Sequence, residues 1–143
     1  MNQVLLGLGS NIRPEYYLYE AAKHLRLRFP GIRFSGVYRS AAIGMDGDDF
    51  LNACCLLDTD LVQQELVAFC KALEDDYGRD RSEGSWKPRT LDVDLIQWNG
   101  QAIGDDLILY AHVFVPAAEL IDVPVPQGKL LQLQQAELRL DKI

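Results

Sequence analysis

The segment Val62 to Tyr77 limits the possible folds more than any other: Val62, Leu66, Phe69, Cys70, Leu73 and Tyr77 recur at i, i+4, i+7, i+8, i+11 and i+15. Such spacing puts an apolar stripe along one side of an α-helix and leaves the other side polar, so the helix has to lie on a second apolar layer. That layer is legible around it. Residues 3 to 9 (QVLLGLG) read as a buried strand, broken by the turn chemistry of Gly9-Ser10-Asn11. Ile32 to Tyr38 alternates as a second strand, Phe50 to Leu57 runs as a third and Leu91 to Trp98 as a fourth, after which Asn99-Gly100 signals a hairpin. Pro14 sets the first turn of an earlier helix reaching about Phe29, with Leu18, Ala21, Ala22 and Leu25 on one face. Thr59-Asp60 is expected to cap the later helix, and Gly78 to end it.

The order strand, helix, strand, strand, helix, strand is the split-βαβ pattern, so the expected fold is α+β, a ferredoxin-like βαββαβ core with a C-terminal extension. At 143 residues, 48% of them apolar, residues 1–143 are expected to form a single domain. The Leu- and Gln-rich tail from Gly128 is open to a strand, a short helix or a frayed end. No apolar run is long enough to span a bilayer and MNQVLLGLGSN lacks a basic leader, so no membrane partner is expected and the chain is placed in the cytoplasm, with a monomer favoured. Cys54-Cys55 and Cys70 have neither zinc-knuckle nor redox spacing and are expected to be buried, reduced thiols. The net charge of −7 argues against long nucleic-acid partners, which need a basic face. It does not exclude a nucleotide, for which a few local cations and a divalent metal suffice.

Asp92 and Asp94 share one strand face while Leu91, Val93 and Leu95 take the other. Two carboxylates so placed repel unless a cation lies between them, and Mg2+ is the natural ion, being a hard cation held by one or two carboxylates plus substrate phosphates. By itself D-x-D is a weak signal, since solvated sheet edges produce it often. Immediately upstream, Arg79, Arg81, Lys87 and Arg89 fall within eleven positions in a polar stretch without periodicity. Cations beside a metal site are what phosphoryl-type transfer needs, because its catalysis is mostly positioning and charge stabilisation. A solvent-exposed basic loop is the plainer alternative. Trp86 lies in the same stretch without apolar neighbours, where an aromatic more often covers a ligand than fills a core. There is no G-x-x-x-x-G-K-[ST] loop. His24 is read as a surface residue, and the acidic turn Asp46 to Asp49 as solvated rather than metal-binding.

These residues give the chain a resemblance to the 6-hydroxymethyl-7,8-dihydropterin pyrophosphokinases over residues 4 to about 104. It is carried by G-x-G-S-N at Gly7 to Asn11, Y-R-S at Tyr38 to Ser40, F-L-N at Phe50 to Asn52, and the run Glu74 to Leu95 with its specific W-x-P-R-T-L-D-x-D. The resemblance implies transfer of the β,γ-pyrophosphoryl group of ATP to the hydroxymethyl of a reduced pterin, leaving AMP, with two Mg2+ ions bridging the phosphates. It implies that Asp92 and Asp94 bind both metals, and that Arg79, Arg81 and Arg89 contact phosphates from a loop sealed by Trp86, with Lys87 beside it. Glu74 would lie near the nucleotide, Asn52 would hydrogen-bond the pterin edge, Ser40 and Ile43 would line the ring, and Phe50 would stack on it.

The match changes after the hairpin. The family usually carries P-H-x(5)-R-x-F before V-P-L-x-E, whereas Leu107 to Val115 reaches Val115-Pro116-x-x-Glu119 too soon. Either the segment is shortened and His112 stands for the family His as an ATP contact, or Tyr110 replaces the Arg and His112 the aromatic; the second is favoured. One ATP-binding cation is missing in both, since no Arg follows until Arg139, a contact worth ~1.5 to 3 kcal/mol. Two other readings stay open beside the pyrophosphokinase: a divergent transferase with a different acceptor or donor, and a non-catalytic binding module. Against the module stand the retained Asp92, Asp94 and Arg89.

Overall fold

A computed structural model describes residues 1–41, 49–78, 90–123 and 133–142. It is a mixed α+β structure. The strands are β1 (Asn2–Ser10), β2 (Arg33–Phe34), β3 (Tyr38–Ser40), β4 (Phe50–Thr59), β5 (Asp92–Trp98), β6 (Gln101–Ala102) and β7 (Gln134–Gln135). The helices are α1 (Pro14–Arg28), α2 (Gln63–Asp76), α3 (Asp106–Leu109) and α4 (Ala111–Ala117), and a 3-10 turn spans Leu140–Lys142. Among the described residues the strands make one sheet in the order β6-β5-β1-β4-β3-β7, with β2 also on β4, and every pairing is antiparallel.

Strand β1 is central because both long partners need it. It pairs with β4 from Asn2↔Thr59 to Ser10↔Leu51, and with β5 from Val4↔Trp98 to Gly9↔Asp92. Val4, Leu6 and Leu8 alternate onto one face, where they meet Leu51, Ala53, Cys55 and Leu57 of β4 and Val93 of β5. Helices α1 and α2 close this core with Leu18, Ala21, Ala22 and Leu25 from the first and Leu66, Cys70 and Leu73 from the second. The opposite face is covered only in part: Leu5, Cys54, Leu56 and Ile96 carry Val113 and Ala117 of α4. Ile96 reaches that side by the same alternation as Asp92 and Asp94, and the bulge after Leu95, where the register steps from Leu6↔Leu95 to Leu5↔Gln97, turns Trp98 toward the helix-covered core.

The expected second strand, Ile32 to Tyr38, is two short ones, because a bulge between them sets Ser35, Gly36 and Val37 opposite only Ala53 and Cys54. Thr59 does not cap α2. It remains in β4, its Oγ1 accepts the Leu61 N–H at 3.1 Å, and the helix begins beyond Val62, whose N–H donates to Glu65 Oε1 at 3.1 Å. Val62 is accordingly exposed instead of lying in the stripe. The hairpin at Asn99-Gly100 has both residues at positive φ (49° and 83°), as a two-residue turn matching strand twist requires. Helices α3 and α4 were not expected from the sequence. The tail supplies both a strand, β7, and the 3-10 turn, whose Leu140 is fully buried and whose carbonyl accepts from Arg26 at 3.1 Å. His24 is exposed. All three cysteines are free and buried, and burial pushes the thiols of Cys54 and Cys70 up to about 12. Among the described residues no helix is long and apolar enough to cross a membrane.

Leu6 sits fully buried at the middle of the central strand. Leu6→Ala is expected to lower the unfolding free energy in urea by roughly 2–5 kcal/mol, the cost of lost transfer energy plus an unfilled cavity.

Candidate active site

The part of the sheet face opposite α1 and α2 that α4 leaves free among the described residues carries the chemistry. Residues directly across an antiparallel ladder point to the same side, so the registers define two rows. One runs Asp92, Gly9, Asn52, Tyr38 across β5, β1, β4 and β3, and the next runs Asp94, Gly7, Cys54. The two glycines leave the middle of these rows without side chains. A Cβ on Gly9 would lie 3.4 Å from Asn52 Oδ1 and 3.7 Å from a Phe50 ring carbon, and one on Gly7 would press at 3.3 Å on Ile96. The G-x-G spacing therefore makes a floor between the carboxylates of β5 and the polar and aromatic groups of β4.

At the carboxylate end, Glu74 of α2 joins Asp92 and Asp94. Each of the three offers an oxygen within 4.8 Å of the others. Glu74 is buried, and its Oε2 accepts the Val93 N–H at 2.8 Å, so the helix holds the outer edge of β5 between the two aspartates. Crowding of this kind shows in Asp94, whose carboxyl is pushed from 3.8 up to about 8, first by burial and then by the charge of Asp92, with Glu74 and Asp106 adding to it. Asp94 itself is exposed and Asp92 half-buried, so the crowding is partly screened by water and the site is open to an ion. Convergent, all-oxygen donors that repel each other fit a hard divalent cation, and Mg2+ in particular, which keeps some ligand positions for water or phosphate.

At the other end, the Asn52 amide is fixed by two acceptors. Its Nδ2 donates to the Tyr38 carbonyl at 3.3 Å and to Ser40 Oγ at 2.8 Å. Because a carbonyl can only accept, the amide nitrogen must face β3, which turns Oδ1 toward the space above Gly9 as an acceptor. Phe50 stands beside it at the start of β4, paired with Ser40. Over the carboxylate end, His112 stacks on Tyr110 with ring centroids 5.2 Å apart. Burial lowers the pKa of His112, and the charges of Asp106 and Asp92 oppose that shift, which places the imidazole on the carboxylate side of the site. Thr90 Oγ1 donates to the Tyr77 carbonyl at 2.6 Å, tying the chain two residues ahead of β5 to the end of α2.

The structure thus gathers seven of the residues singled out in the sequence, Glu74, Asp92, Asp94 and His112 toward one end and Ser40, Phe50 and Asn52 at the other. Arg79, Arg81, Trp86, Lys87, Arg89 and Ile43, like most of the acidic turn Asp46 to Asp49, lie outside the described residues. Sequence reasoning missed the space-making role of Gly7 and Gly9, although two glycines at period 2 within a strand were a usable signal for a cleared face. It also missed Asp106, a fourth carboxylate whose charge acts on both Asp94 and His112.

The metal-free protein is expected to pay for this arrangement in stability. Unfolded Asp94 releases its proton near 3.8, while the folded carboxyl keeps it to about 8, so the proton's stabilising contribution, weakened by water at this exposed side chain, is fully present below about pH 4 and lost as pH rises toward 8. Thermal midpoints measured in chelator should fall over that range for the wild type and fall less for Asp94→Asn, which is expected to be the more stable protein at pH 8.

Comparison with known proteins covers both ends of this site. Residues 5–135 match the family model of 7,8-dihydro-6-hydroxymethylpterin-pyrophosphokinase. The 2-amino-4-hydroxy-6-hydroxymethyldihydropteridine pyrophosphokinase of Methylorubrum extorquens is 34% identical over 131 residues, covering 89% of this chain and 82% of its own. Its counterpart in Aquifex aeolicus is 31% identical over 127 residues, with 87% and 79% covered, and that in Bacillus subtilis is 28% identical over 153 residues, with 99% and 91% covered. A match spanning residues 5–135, which takes in Gly7, Gly9, Asn52 and the Asp92/Asp94 pair, shows that the chain belongs to the 7,8-dihydro-6-hydroxymethylpterin-pyrophosphokinase family.

Proposed function

We propose that this face carries out the family reaction, the transfer of pyrophosphate from ATP to 6-hydroxymethyl-7,8-dihydropterin in folate biosynthesis, with the acceptor over Gly9 and the triphosphate over Asp92 and Asp94. The observation that carries the placement is the convergence of Glu74, Asp92 and Asp94 at one end of a glycine floor whose other end presents Asn52 and Phe50. The reduced pterin has a flat ring with N–H donors along one edge. Asn52 Oδ1 accepts from that edge, Phe50 stacks on the ring, and Ser40 keeps the amide turned the right way. Held so, the hydroxymethyl oxygen is directed along the floor toward the β-phosphorus of ATP, the bond to the α-phosphate breaks, and AMP leaves.

Asp92 and Asp94 are the residues that would hold Mg2+, two ions in the family pattern, with Glu74 keeping β5 in place beneath them. When bound, the metal neutralises phosphate oxygens and takes up charge developing on the transferred group. Arg79, Arg81, Lys87 and Arg89 are proposed to contact phosphates, Trp86 to exclude water above them, and Ile43 to line the pterin ring. The nearness of His112 to Asp92 supports a phosphate contact for the imidazole instead of a cover for the pterin, with Tyr110 bracing it by stacking. The sheet order, in which the fourth, first, third and second core strands lie side by side, supports a ferredoxin-like assignment for a single pyrophosphokinase-like domain.

The test is to incubate the purified protein with ATP, Mg2+ and 6-hydroxymethyl-7,8-dihydropterin and to measure AMP. AMP formation should require both the pterin and the metal, and Asp94→Ala should lower it by on the order of a hundredfold or more. ATP binding without AMP would instead point to a different acceptor.

A further inference from the structure

Strand β3, which orients Asn52, is itself held by a residue outside the site. Between the pairs Phe34↔Cys55 and Tyr38↔Asn52, three residues (Ser35, Gly36, Val37) stand opposite two (Ala53, Cys54), so β2 and β3 are separated by a bulge. Ser35 stays with β4, its N–H donating to the Cys54 carbonyl at 2.9 Å and its Oγ accepting the Cys54 N–H at 2.8 Å. The Gly36 N–H donates elsewhere, to Glu119. Oε1 of that carboxylate accepts from Gly36 at 3.2 Å, and Oε2 accepts the Tyr38 hydroxyl at 2.6 Å, a length typical of a charge-assisted bond. A Cβ on Gly36 would lie 3.3 Å from Glu119 Oε2 and 2.8 Å from Gln135 Nε2, so glycine is what lets the carboxylate come so close. Burial and then the Glu119 contact push the Tyr38 phenol up to about 12, which keeps it a donor at neutral pH.

We propose that Glu119 is a positioning residue for the acceptor pocket: by gripping the bulge at Gly36 and the hydroxyl of Tyr38, it sets where β3 presents the Tyr38 carbonyl and Ser40 hydroxyl, and so aims Asn52 Oδ1 at the pterin. This rests on the reading of Asn52 as the pterin contact. Glu119 lies in the turn that ends α4, two residues past Ala117, while Tyr110 and His112 lie at the start of that helix. Among the described residues its carboxylate bonds to the Gly36 bulge and to Tyr38 of β3, and its charge is felt at Cys54 and Arg139 rather than at Asp94. Removing it does not free β3, because β7 still pairs with that strand and the Ala136 N–H still donates to the Val37 carbonyl at 2.7 Å. What is lost is the fine placement of two acceptors around one amide. The effect therefore falls on pterin affinity and spares both the fold and ATP.

Steady-state kinetics with ATP, Mg2+ and the dihydropterin on Glu119→Ala, Glu119→Gln, Tyr38→Phe and Gly36→Ala test the proposal. Glu119→Ala is expected to raise the KM for pterin roughly tenfold, the usual effect of losing a hydrogen bond to a charged group, with the KM for ATP within about twofold of wild type. Tyr38→Phe should give part of that rise and add nothing in the double variant with Glu119→Ala, because both changes remove the same bond. Gly36→Ala, whose methyl would crowd Gln135 Nε2 at 2.8 Å as well as the carboxylate at 3.3 Å, should raise the pterin KM in the same direction as Glu119→Ala, and Glu119→Gln, which keeps one acceptor, should be milder. An unchanged pterin KM in Glu119→Gln and Gly36→Ala, or an equal rise in both KM values, overturns the proposal. Wild-type protein that makes no AMP overturns the functional reading beneath it, which separates the two failures.

Discussion

The structure depends on the register of β1 between β4 and β5. Because side chains alternate along a strand, that one alignment sends Val4, Leu6 and Leu8 to the helix-covered core and Gly7 and Gly9 to the other face, in line with Asp94 and Asp92 on one side and Cys54 and Asn52 on the other. A slip of one residue would bury the glycines and expose the leucines, so the burial that stabilises the core also fixes the site. Core and site are two faces of the same pairing, and neither can be adjusted without the other.

The site is expensive for the fold. The glycines give up packing on the site face, and three carboxylates converge around the buried Glu74 where their charges repel. Neither feature helps the isolated chain to fold, and both make sense if phosphate and a divalent cation complete the arrangement, since a cation removes the repulsion and a ligand fills the floor. Glu74 reconciles the two demands. It contributes to the crowding and also accepts the Val93 N–H, tying the helix layer to the strand that bears the aspartates.

After the hairpin the short helices α3 and α4 make a compact connection. Val113 and Ala117 bury α4 against Leu5, Cys54 and Leu56, so the connection has its own core and does not rely on the site for stability. It brings Asp106 and His112 toward the metal end and Glu119 to β3.

Periodicity in the chain was enough to determine both long helices, the three long strands, the Asn99-Gly100 hairpin, and the shared face of Asp92 and Asp94, because each depends on residues near one another in sequence. The W-x-P-R-T-L-D-x-D run was likewise enough to determine the family. Tertiary structure alone decided what lies across from what. It set Gly9 between Asp92 and Asn52, brought Glu74 from another element to the aspartate pair, and split the second strand at Gly36 so that Glu119 could hold it. Ladder register and helix docking are long-range events, governed by how whole apolar faces fit together, and no local pattern in the chain records which polar groups that fit will leave side by side.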